Sequence, residues 1–215
     1  MKIVIKIGGS MAFDENGPKI RYLEKLVPIL KKIKNKNQLI VSIGGGKFIR
    51  KYLKNVKGKI SNEEIEWIFV DLLKANVRLL SNLLNMKPIF DLKSVNKKTS
   101  GVIGGIMPGR STDANAAICA EKINADLFIK LTNVSGIYDK DPNKYKRAKK
   151  LKKILFSDLN KLKTKTSPGN YGILDPMAID IIRKNRIRTI IINGKNPKNI
   201  LDVIHGKNIG TVISD

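Results

Sequence analysis

Cysteine and histidine are almost absent from this chain. Its 215 residues include one cysteine, Cys119, and one histidine, His205. An intramolecular disulfide needs two cysteines and a cysteine-based zinc site needs several, so both are excluded. We interpret Cys119 and His205 as structural or incidental residues. Any chemistry must therefore use lysine, arginine, acidic side chains, backbone amides or a bound cation.

Acidic residues are also scarce. The chain has 18 Asp and Glu against 42 Lys and Arg, a net charge of +24, and such a field attracts anionic substrates and polyanions. Residues 144–165 hold ten Lys or Arg and a single acid, Asp158. We interpret this segment as a solvated basic surface, with a loop near an anionic substrate or a nucleic-acid face as alternatives. Only Tyr145 and Phe156 could stack on bases there, so a nucleic-acid partner is not expected.

Long apolar runs and a leader pattern are missing as well. The longest apolar runs, such as residues 26–30, are far shorter than the roughly 20 residues that span a bilayer. The first residues, MKIVIKIGGS, keep a lysine inside their apolar stretch and have no small-residue cleavage site. We therefore expect a cytoplasmic protein with no membrane partner.

Short β-branched runs alternate with amphipathic segments along the chain. Pro28 lies inside the first amphipathic segment and is expected to kink or split that helix. The alternation predicts an α/β fold, a single domain over residues 1–215, whose mostly parallel central sheet has helices on both faces. Strands are predicted at residues 2–7, 39–43, 88–90, 102–103, 127–131, 188–192 and 210–214, and helices at 23–33, 47–53, 61–84, 112–123, 174–184 and 199–205.

Three of the predicted strands end on glycines, at residues 8–9, 44–46 and 104–105. In a parallel sheet such turns lie at the carboxyl edge, where ligands bind, and glycine lets the backbone approach a ligand closely. Each turn alone could be an ordinary tight turn. Neither a P-loop nor a dinucleotide fingerprint follows any strand. Phosphate is the ligand we expect, because Lys6, Lys47, Arg50 and Arg110 lie on or beside these turns.

Six stretches carry a family resemblance that covers essentially the whole chain. They are IKIGGS, IGGGKFIRKY, GGIMPGRSTDANAA, ADLFIKLTNVSGIYDKDP, GNYGILDPMAIDIIRKNRI and IGTVIS. In this order they closely resemble the amino-acid-kinase superfamily, and within it the archaeal-type uridylate kinases. The resemblance implies an open αβα sandwich that binds ATP over residues 106–215 and a phosphate acceptor over residues 1–105. It also implies Mg²⁺ as a cofactor and a homohexamer.

The resemblance also implies roles for individual residues. Lys6 and Asp113 match the positions of a catalytic lysine and the aspartate that orients it. The residues expected to contact ATP are Gly9, Ser10, Gly46, Arg50, Thr132, Asn133, Tyr138 and Asp141. Those expected to contact the nucleoside monophosphate are Gly45, Glu66, Ile106, Met107, Pro108, Gly109, Arg110, Ser111 and Thr112. Tyr171 and Asp175 are interpreted as residues that position the helix after them.

The acceptor stays open at this point. Phosphorylation of UMP to UDP is the reaction that the resemblance favours. Arg110 and Glu66 motivate an alternative kinase that acts on isopentenyl phosphate, the aminomethylfuran phosphate of methanofuran synthesis, or the carboxylate of an amino acid. An isopentenyl phosphate kinase should carry a histidine near the glycine turns, and none occurs there. The net charge motivates a third hypothesis, a non-enzymatic protein that binds RNA or nucleotides.

Overall fold

The computed structural model describes residues 1–142, 144–165 and 173–215. Within them the strands form one eight-stranded sheet, in the order β3-β4-β2-β1-β5-β7-β8-β6. Every neighbouring pair is parallel except β7 and β8, so the predicted, mostly parallel α/β sheet is confirmed. The strands are β1 Lys2–Ile7, β2 Gln38–Ile43, β3 Pro88–Ile89, β4 Gly101–Ile103, β5 Leu127–Thr132, β6 Lys153–Ile154, β7 Thr189–Asn193 and β8 Thr211–Ile213.

Helices cover both faces of the sheet. Apolar residues of α2, α4 and α7 pack on one face, while those of α5 and α6 pack on the other. This is the predicted αβα sandwich. In the described residues, no helix has the length and apolar character needed to cross a membrane. The helices are α1 Gly9–Ala12, α2 Ile20–Lys34, α3 Gly46–Val56, α4 Asn62–Leu84, α5 Thr112–Ile123, α6 Pro176–Lys184 and α7 Asn199–Ile204, with 3₁₀ turns at Leu92–Ser94 and Phe156–Lys165.

Side-chain caps fix where α4 and α6 begin. The Ser61 hydroxyl accepts a hydrogen bond from the Glu64 amide at 3.2 Å and caps the long helix α4, which was predicted to begin at residue 61. Asp175 accepts from the amide of Met177 at 2.9 Å, so α6 begins at Pro176 rather than at residue 174 as predicted. Its carboxylate thus positions the helix, as expected, while Tyr171 lies outside the described residues.

Pro28 does not split its helix. The α2 helix runs without interruption from Ile20 to Lys34, so of the two predicted outcomes, a kink or a split, the split is wrong. Leu23 and Leu26 are buried before the proline, and Leu30 and Ile33 are buried after it. Because both halves bury apolar side chains in the same core, packing offsets the hydrogen bond that proline removes.

The two central strands contain an unexpected residue type. A parallel sheet covered on both faces usually has near-continuous apolar strands. β1 and β5 follow this rule except at Lys6 and Lys130, which are only 5% and 7% exposed. An amine buried this deeply needs a charged partner, and both lysines find the same one.

Candidate active site

The three glycine turns lie at one edge of the sheet. β4, β2 and β1 are neighbours, all parallel, and each ends where a glycine turn begins. The prediction that the turns share a sheet edge is therefore confirmed. β5 lies on the other side of β1, so β1 separates the β2–β4 side of this edge from the β5–β7 side.

The first two turns touch through their backbones. A Cβ atom on Gly9 would lie 2.2 Å from the nitrogen of Gly46 and 2.8 Å from the carbonyl carbon of Gly44. At Gly46 the backbone φ is +74°, and a Cβ atom there would lie 2.6 Å from the Cβ of Phe13. Only glycine fits either position. Close packing of two glycine turns, with α3 starting at the second, places backbone amides where they can bind an anion.

Lys6 lies directly below the place where these turns meet. Its Nζ is 3.3 Å from the position that a Cβ of Gly44 would take. The same ammonium pairs with the carboxylate of Asp113, with 3.4 Å between Nζ and Oδ1. Lys6 is thus a buried residue of a central strand.

A second lysine contacts Asp113 from the neighbouring strand. Lys130 on β5 is the register partner of Lys6 on β1, and its Nζ lies 2.5 Å from Oδ2 of Asp113. Lys130 is not among the site residues predicted from the sequence. The signal that could have found it is a lysine within an otherwise apolar strand, LFIKLT, as Lys6 stands within KIVIKI.

The three charges shift one another's ionisation. Burial by itself raises the pKa of the Asp113 carboxyl, but Lys130 and Lys6 outweigh it and hold that pKa below its usual value. Burial lowers the pKa of the Lys6 ammonium, Asp113 raises it, and the nearby Lys130 lowers it again, leaving it below the ordinary lysine value. Asp113 is therefore ionised at neutral pH, beside an ammonium that loses its proton more easily than a surface lysine does.

The first turn of α5 is fixed above the two lysines. Ser42, the register partner of Lys6 on β2, donates from its hydroxyl to the carbonyl of Thr112 at 3.0 Å. Asn115 donates from its side-chain amide to the carbonyl of Gly104 at 2.9 Å. Ser111 caps the helix by accepting from the amide of Ala114 at 3.0 Å. These contacts hold Asp113 over the sheet, and a first-turn acid also suits the positive end of the helix dipole.

The α4 helix lies along the second and third turns. A Cβ on Gly45 would lie 3.2 Å from the ring of Phe69, and one on Gly105 would lie 2.3 Å from Cδ1 of Leu73. The side-chain amide of Asn76 donates to the carbonyl of Gly44 at 3.3 Å. Glu66 is exposed on the same helix, one turn before Phe69.

The loop of residues 106–112 completes this side of the edge. It follows β4 and leads into α5, with Met107 and Gly109 exposed and Arg110 half-buried. Gly109 has a φ of +71° and nothing within 4 Å of the position of a Cβ. Gly45, Glu66 and this loop, predicted together as the acceptor site, therefore all lie on the β2–β4 side.

Most residues predicted to contact ATP lie on the β5–β7 side or on the first turn. The amide of Gly8 donates to the carbonyl of Leu131 at 3.0 Å, which ties the first turn to the end of β5. Thr132 follows at that end, and its carbonyl accepts from the amide of Gly194 after β7 at 2.9 Å. The carbonyl of Ser10 accepts from Nζ of Lys19 at 2.8 Å.

Tyr138 and Asp141 lie in the loop after β5, whereas Arg50 lies on α3, about one helical turn after Gly46. Tyr138 is half-buried and forms an antiparallel bridge with Lys150, which joins the loop after β5 to the basic segment. Asp141 is exposed, and its carbonyl accepts from the amide of Lys144 at 3.1 Å. Arg50 is exposed on α3. It lines a small cavity together with Lys54 of the same helix and Asn62 at the start of α4.

Cys119 and His205 lie apart from this edge. Cys119 is buried in α5, and burial raises the pKa of its thiol to about 12. His205 is exposed at the end of α7. A neutral buried thiol and an exposed imidazole distant in the fold fit the structural or incidental roles expected of them.

The donor groups at the site fit a metal ion that the substrate brings. Among the residues described, no group of three or more His, Cys, Asp or Glu could hold a metal. Asp113 faces Lys6 with one oxygen and Lys130 with the other, so its charge is already balanced. Mg²⁺ in kinases is commonly bound through substrate phosphates with few protein ligands. The site therefore suits Mg²⁺ carried by ATP phosphates better than a protein cage.

Residues 1–88 and 95–193 match the amino acid kinase family. The chain belongs to the amino acid kinase family. It is 38% identical to the uridylate kinase of Sulfurisphaera tokodaii and 36% identical to that of Thermococcus onnurineus, over 99% of each chain. Such relatives confirm the family resemblance seen in the sequence.

Solved structures of uridylate and UMP kinases have the same fold. The crystal structure of uridylate kinase from Archaeoglobus fulgidus matches over all of both chains, with 31% identity and a TM-score of 0.88. UMP kinase from Ureaplasma parvum is 23% identical with a TM-score of 0.81, and at that identity it supports the fold alone.

Proposed function

We propose that this member of the amino acid kinase family transfers the γ-phosphoryl group of ATP to UMP and so forms UDP. One observation carries the proposal: a buried lysine–aspartate pair lies below two touching glycine turns, at the carboxyl edge of a parallel sheet. Curated relatives that share 33–38% of its residues over nearly the whole chain are named uridylate kinases.

The proposed reaction needs no strong base. An oxygen of the UMP phosphate is already ionised near neutral pH, and it attacks the γ-phosphorus of ATP. A new P–O bond forms as the bond from the γ-phosphorus to the bridging oxygen breaks, and ADP leaves with that electron pair. Catalysis then consists of holding the two nucleotides in line and neutralising charge on the transferred group.

Lys6 is the residue placed to neutralise that charge. Its ammonium lies at the junction of the turns that carry Gly9 and Gly44, within reach of a phosphoryl group bound there. Asp113 orients the ammonium from the first turn of α5. Backbone amides at residues 8–9 and 45–46 would donate to the equatorial oxygens, as in other preorganised anion sites. Mg²⁺, bound through the phosphates of ATP, would neutralise further negative charge.

The two sides of β1 would serve the two substrates. We assign most of residues 1–105 and the loop after β4, on the β2–β4 side, to UMP, and the β5–β7 side together with the first turn and the start of α3 to ATP. Lys6 on β1 then lies between donor and acceptor, where a transferred group must pass. The ATP contacts proposed are Gly9, Ser10, Gly46, Arg50, Thr132, Asn133, Tyr138 and Asp141, and those for UMP are Gly45, Glu66, Ile106, Met107, Pro108, Gly109, Arg110, Ser111 and Thr112.

A homohexamer in the cytoplasm, working in pyrimidine nucleotide synthesis, is the setting that we propose from the family resemblance. Exposed aromatic side chains on α3 and α4 support self-association. Phe48 and Tyr52 on α3 are 39% and 44% exposed, and Trp67 on α4 is 43% exposed. Sedimentation of the purified protein gives its mass in solution. A monomer at micromolar concentration would contradict the assembly.

A coupled ADP-release assay tests the proposed function. UMP, CMP, AMP, GMP, isopentenyl phosphate and the aminomethylfuran phosphate are offered with ATP and Mg²⁺. We expect the highest kcat/KM with UMP, and a Lys6→Met variant purified in parallel reports any contaminating kinase. Equal rates across the nucleotides, or a preference for another phosphomonoester, would contradict UMP as the acceptor.

A further inference from the structure

Lys130 is a second buried cation that the proposed mechanism does not use. Its side chain is 9% exposed, those of Lys6 and Asp113 are 7% and 12% exposed, and all three meet between the sheet and α5. Lys6 and Lys130 are register partners on adjacent parallel strands, so their side chains leave the same face of the sheet side by side. Two ammonium groups therefore share one carboxylate.

The sharing is unequal. Lys130 reaches Oδ2 of Asp113 at 2.5 Å, a short charge-assisted hydrogen bond. Lys6 lies 3.4 Å from Oδ1, and within the part of the chain that is described this oxygen accepts no hydrogen bond. The carboxylate is thus bound tightly by Lys130 and only loosely by Lys6.

A loosely held ammonium is what phosphoryl transfer requires of Lys6. An ammonium has three hydrogen-bond donors. An ammonium that makes a short hydrogen bond to a carboxylate is held near that carboxylate and away from other acceptors. If Lys130 were absent, both oxygens of Asp113 would be available to Lys6, and the lysine would move toward α5. With Lys130 present, the ammonium of Lys6 stays below the glycine turns, 3.3 Å from the position that a Cβ of Gly44 would take.

We propose that Lys130 is a positioning residue: it binds Asp113 through Oδ2 and so leaves the ammonium of Lys6 free to contact the transferred phosphoryl group. This inference rests on the proposed function of Lys6. Lys130 acts through Asp113 and not on the substrate. A lysine that only completed the packing of α5 would stabilise the fold without affecting Lys6, and the experiments separate these two roles.

Steady-state kinetics of Lys130→Met and Lys130→Arg give the first test. Methionine keeps the length of the side chain and leaves one buried ammonium, that of Lys6, paired with one buried carboxylate, that of Asp113. We expect kcat to fall roughly 100-fold, as a displacement of about 1 Å in a reacting group can produce, with the KM values for ATP and UMP little changed. Arginine keeps a cation beside Asp113 and should restore part of kcat. Wild-type kcat in Lys130→Met would overturn the inference.

A double-mutant cycle tests the route through Asp113. If Lys130 works only by binding that carboxylate, Lys130→Met should change kcat little when Asp113→Asn is already present, because interacting residues are not additive. A fall in kcat of equal size in both backgrounds would mean that Lys130 acts on the substrate directly, and the positioning role would be wrong.

The ionisation of Lys6 gives a readout that needs no acceptor. In the described residues, the charged groups that act on Lys6 are Asp113 from α5 and Lys130 from β5. NMR of labelled lysine should therefore show the pKa of Lys6 rising in Lys130→Met, with thermal unfolding used to verify that the variant is folded. An unchanged or lower pKa would overturn the inference. A wild-type protein that does not turn over UMP would contradict the proposed function instead, and the NMR result would still test whether Lys130 acts on Lys6.

Discussion

The ammonium of Lys6 and the carboxylate of Asp113 form a buried ion pair, with 3.4 Å between Nζ and Oδ1. Asp113 belongs to α5 and Lys6 to the strand beneath it, so the pair joins the helix to the edge where the glycine turns meet. The pair is long for a hydrogen bond between charged groups, which leaves Lys6 able to bind a second anion.

Lys6→Met should reduce kcat by about 100-fold or more while the protein stays folded. The variant loses the cation nearest the transferred group, and removal of one such contact typically has an effect of this size. Asp113 keeps Lys130 as its partner, so the variant leaves no buried charge without an opposite charge beside it. ADP release and thermal unfolding measure the two properties. A variant with near wild-type kcat would exclude Lys6 as a catalytic residue.

Activity should decline in the alkaline range before ordinary lysines lose their protons. The folded pKa of Lys6 lies below the ordinary 10.5, because burial and Lys130 outweigh the effect of Asp113. The charged, active form is therefore fully present below that folded pKa and is lost as pH rises through it. A kcat profile taken upward from pH 7 measures the decline. In Lys6→Arg the residual rate should stay flat over the same range, since arginine keeps its proton.

Asp113→Asn should lower the free energy of unfolding by about 3–5 kcal/mol at neutral pH. The substitution leaves two buried ammonium groups with no anion, and unpaired buried charges are costly. Asp71→Asn is a matched control, because Asp71 pairs with Lys74 at the exposed surface of α4 and should matter little. Denaturant unfolding of both variants gives the comparison. Equal effects would show that the buried cluster does not stabilise the fold.

The ionisation of Asp113 should also determine how the free energy of unfolding changes at acid pH. The pKa of Asp113 in the folded protein lies below the ordinary value of 3.8. The stability that its charge contributes is therefore fully present above pH 3.8 and is lost as pH falls through the folded pKa. The difference in unfolding free energy between the wild type and Asp113→Asn should therefore be constant from pH 7 to about pH 5. It should narrow only below pH 3.8. A difference that vanishes already at pH 6 would contradict this ionisation.

Gly9→Ala should destabilise the protein more than Gly45→Ala. At Gly9 the added methyl group meets backbone atoms at 2.2 and 2.8 Å, which cannot move without separating the two turns. At Gly45 the nearest atoms belong to the side chains of Ile49 and Phe69, at 3.1–3.3 Å, and these can adjust. Overpacking of the first kind costs about 1–3 kcal/mol, measurable by denaturant unfolding. An equal loss in both variants would contradict the close contact of the turns.

Much of the fold was readable because its signals are local. Strands that end on glycine predicted the shared edge, and the alternation of short β-branched runs with amphipathic segments predicted the α/β sheet. β6 was missed because Lys153 and Ile154 are two residues in a lysine-rich segment, and they form a strand only by pairing with β8 at the far end of the chain. The helix continues through Pro28 because the apolar residues on both sides of the proline pack into the same core.

The site was predictable where it repeats a family pattern and hidden where it depends on strand register. Lys6 and Asp113 came from the resemblance, and the structure brings them together. Lys130 gave no such signal, because a lysine in a strand usually lies on an exposed face. Only the pairing of β1 with β5, and the position of α5 above both, makes it a buried partner of Asp113.

A crystal structure with UMP and a non-hydrolysable ATP analogue would show directly where the two nucleotides bind. We expect density for the pyrimidine between Gly45 and the loop of residues 106–112, for adenosine beyond β5, and for the terminal phosphate of the analogue within hydrogen-bond distance of Nζ of Lys6. A UMP phosphate bound away from Lys6, or UMP on the β5–β7 side, would contradict the proposed arrangement of donor and acceptor.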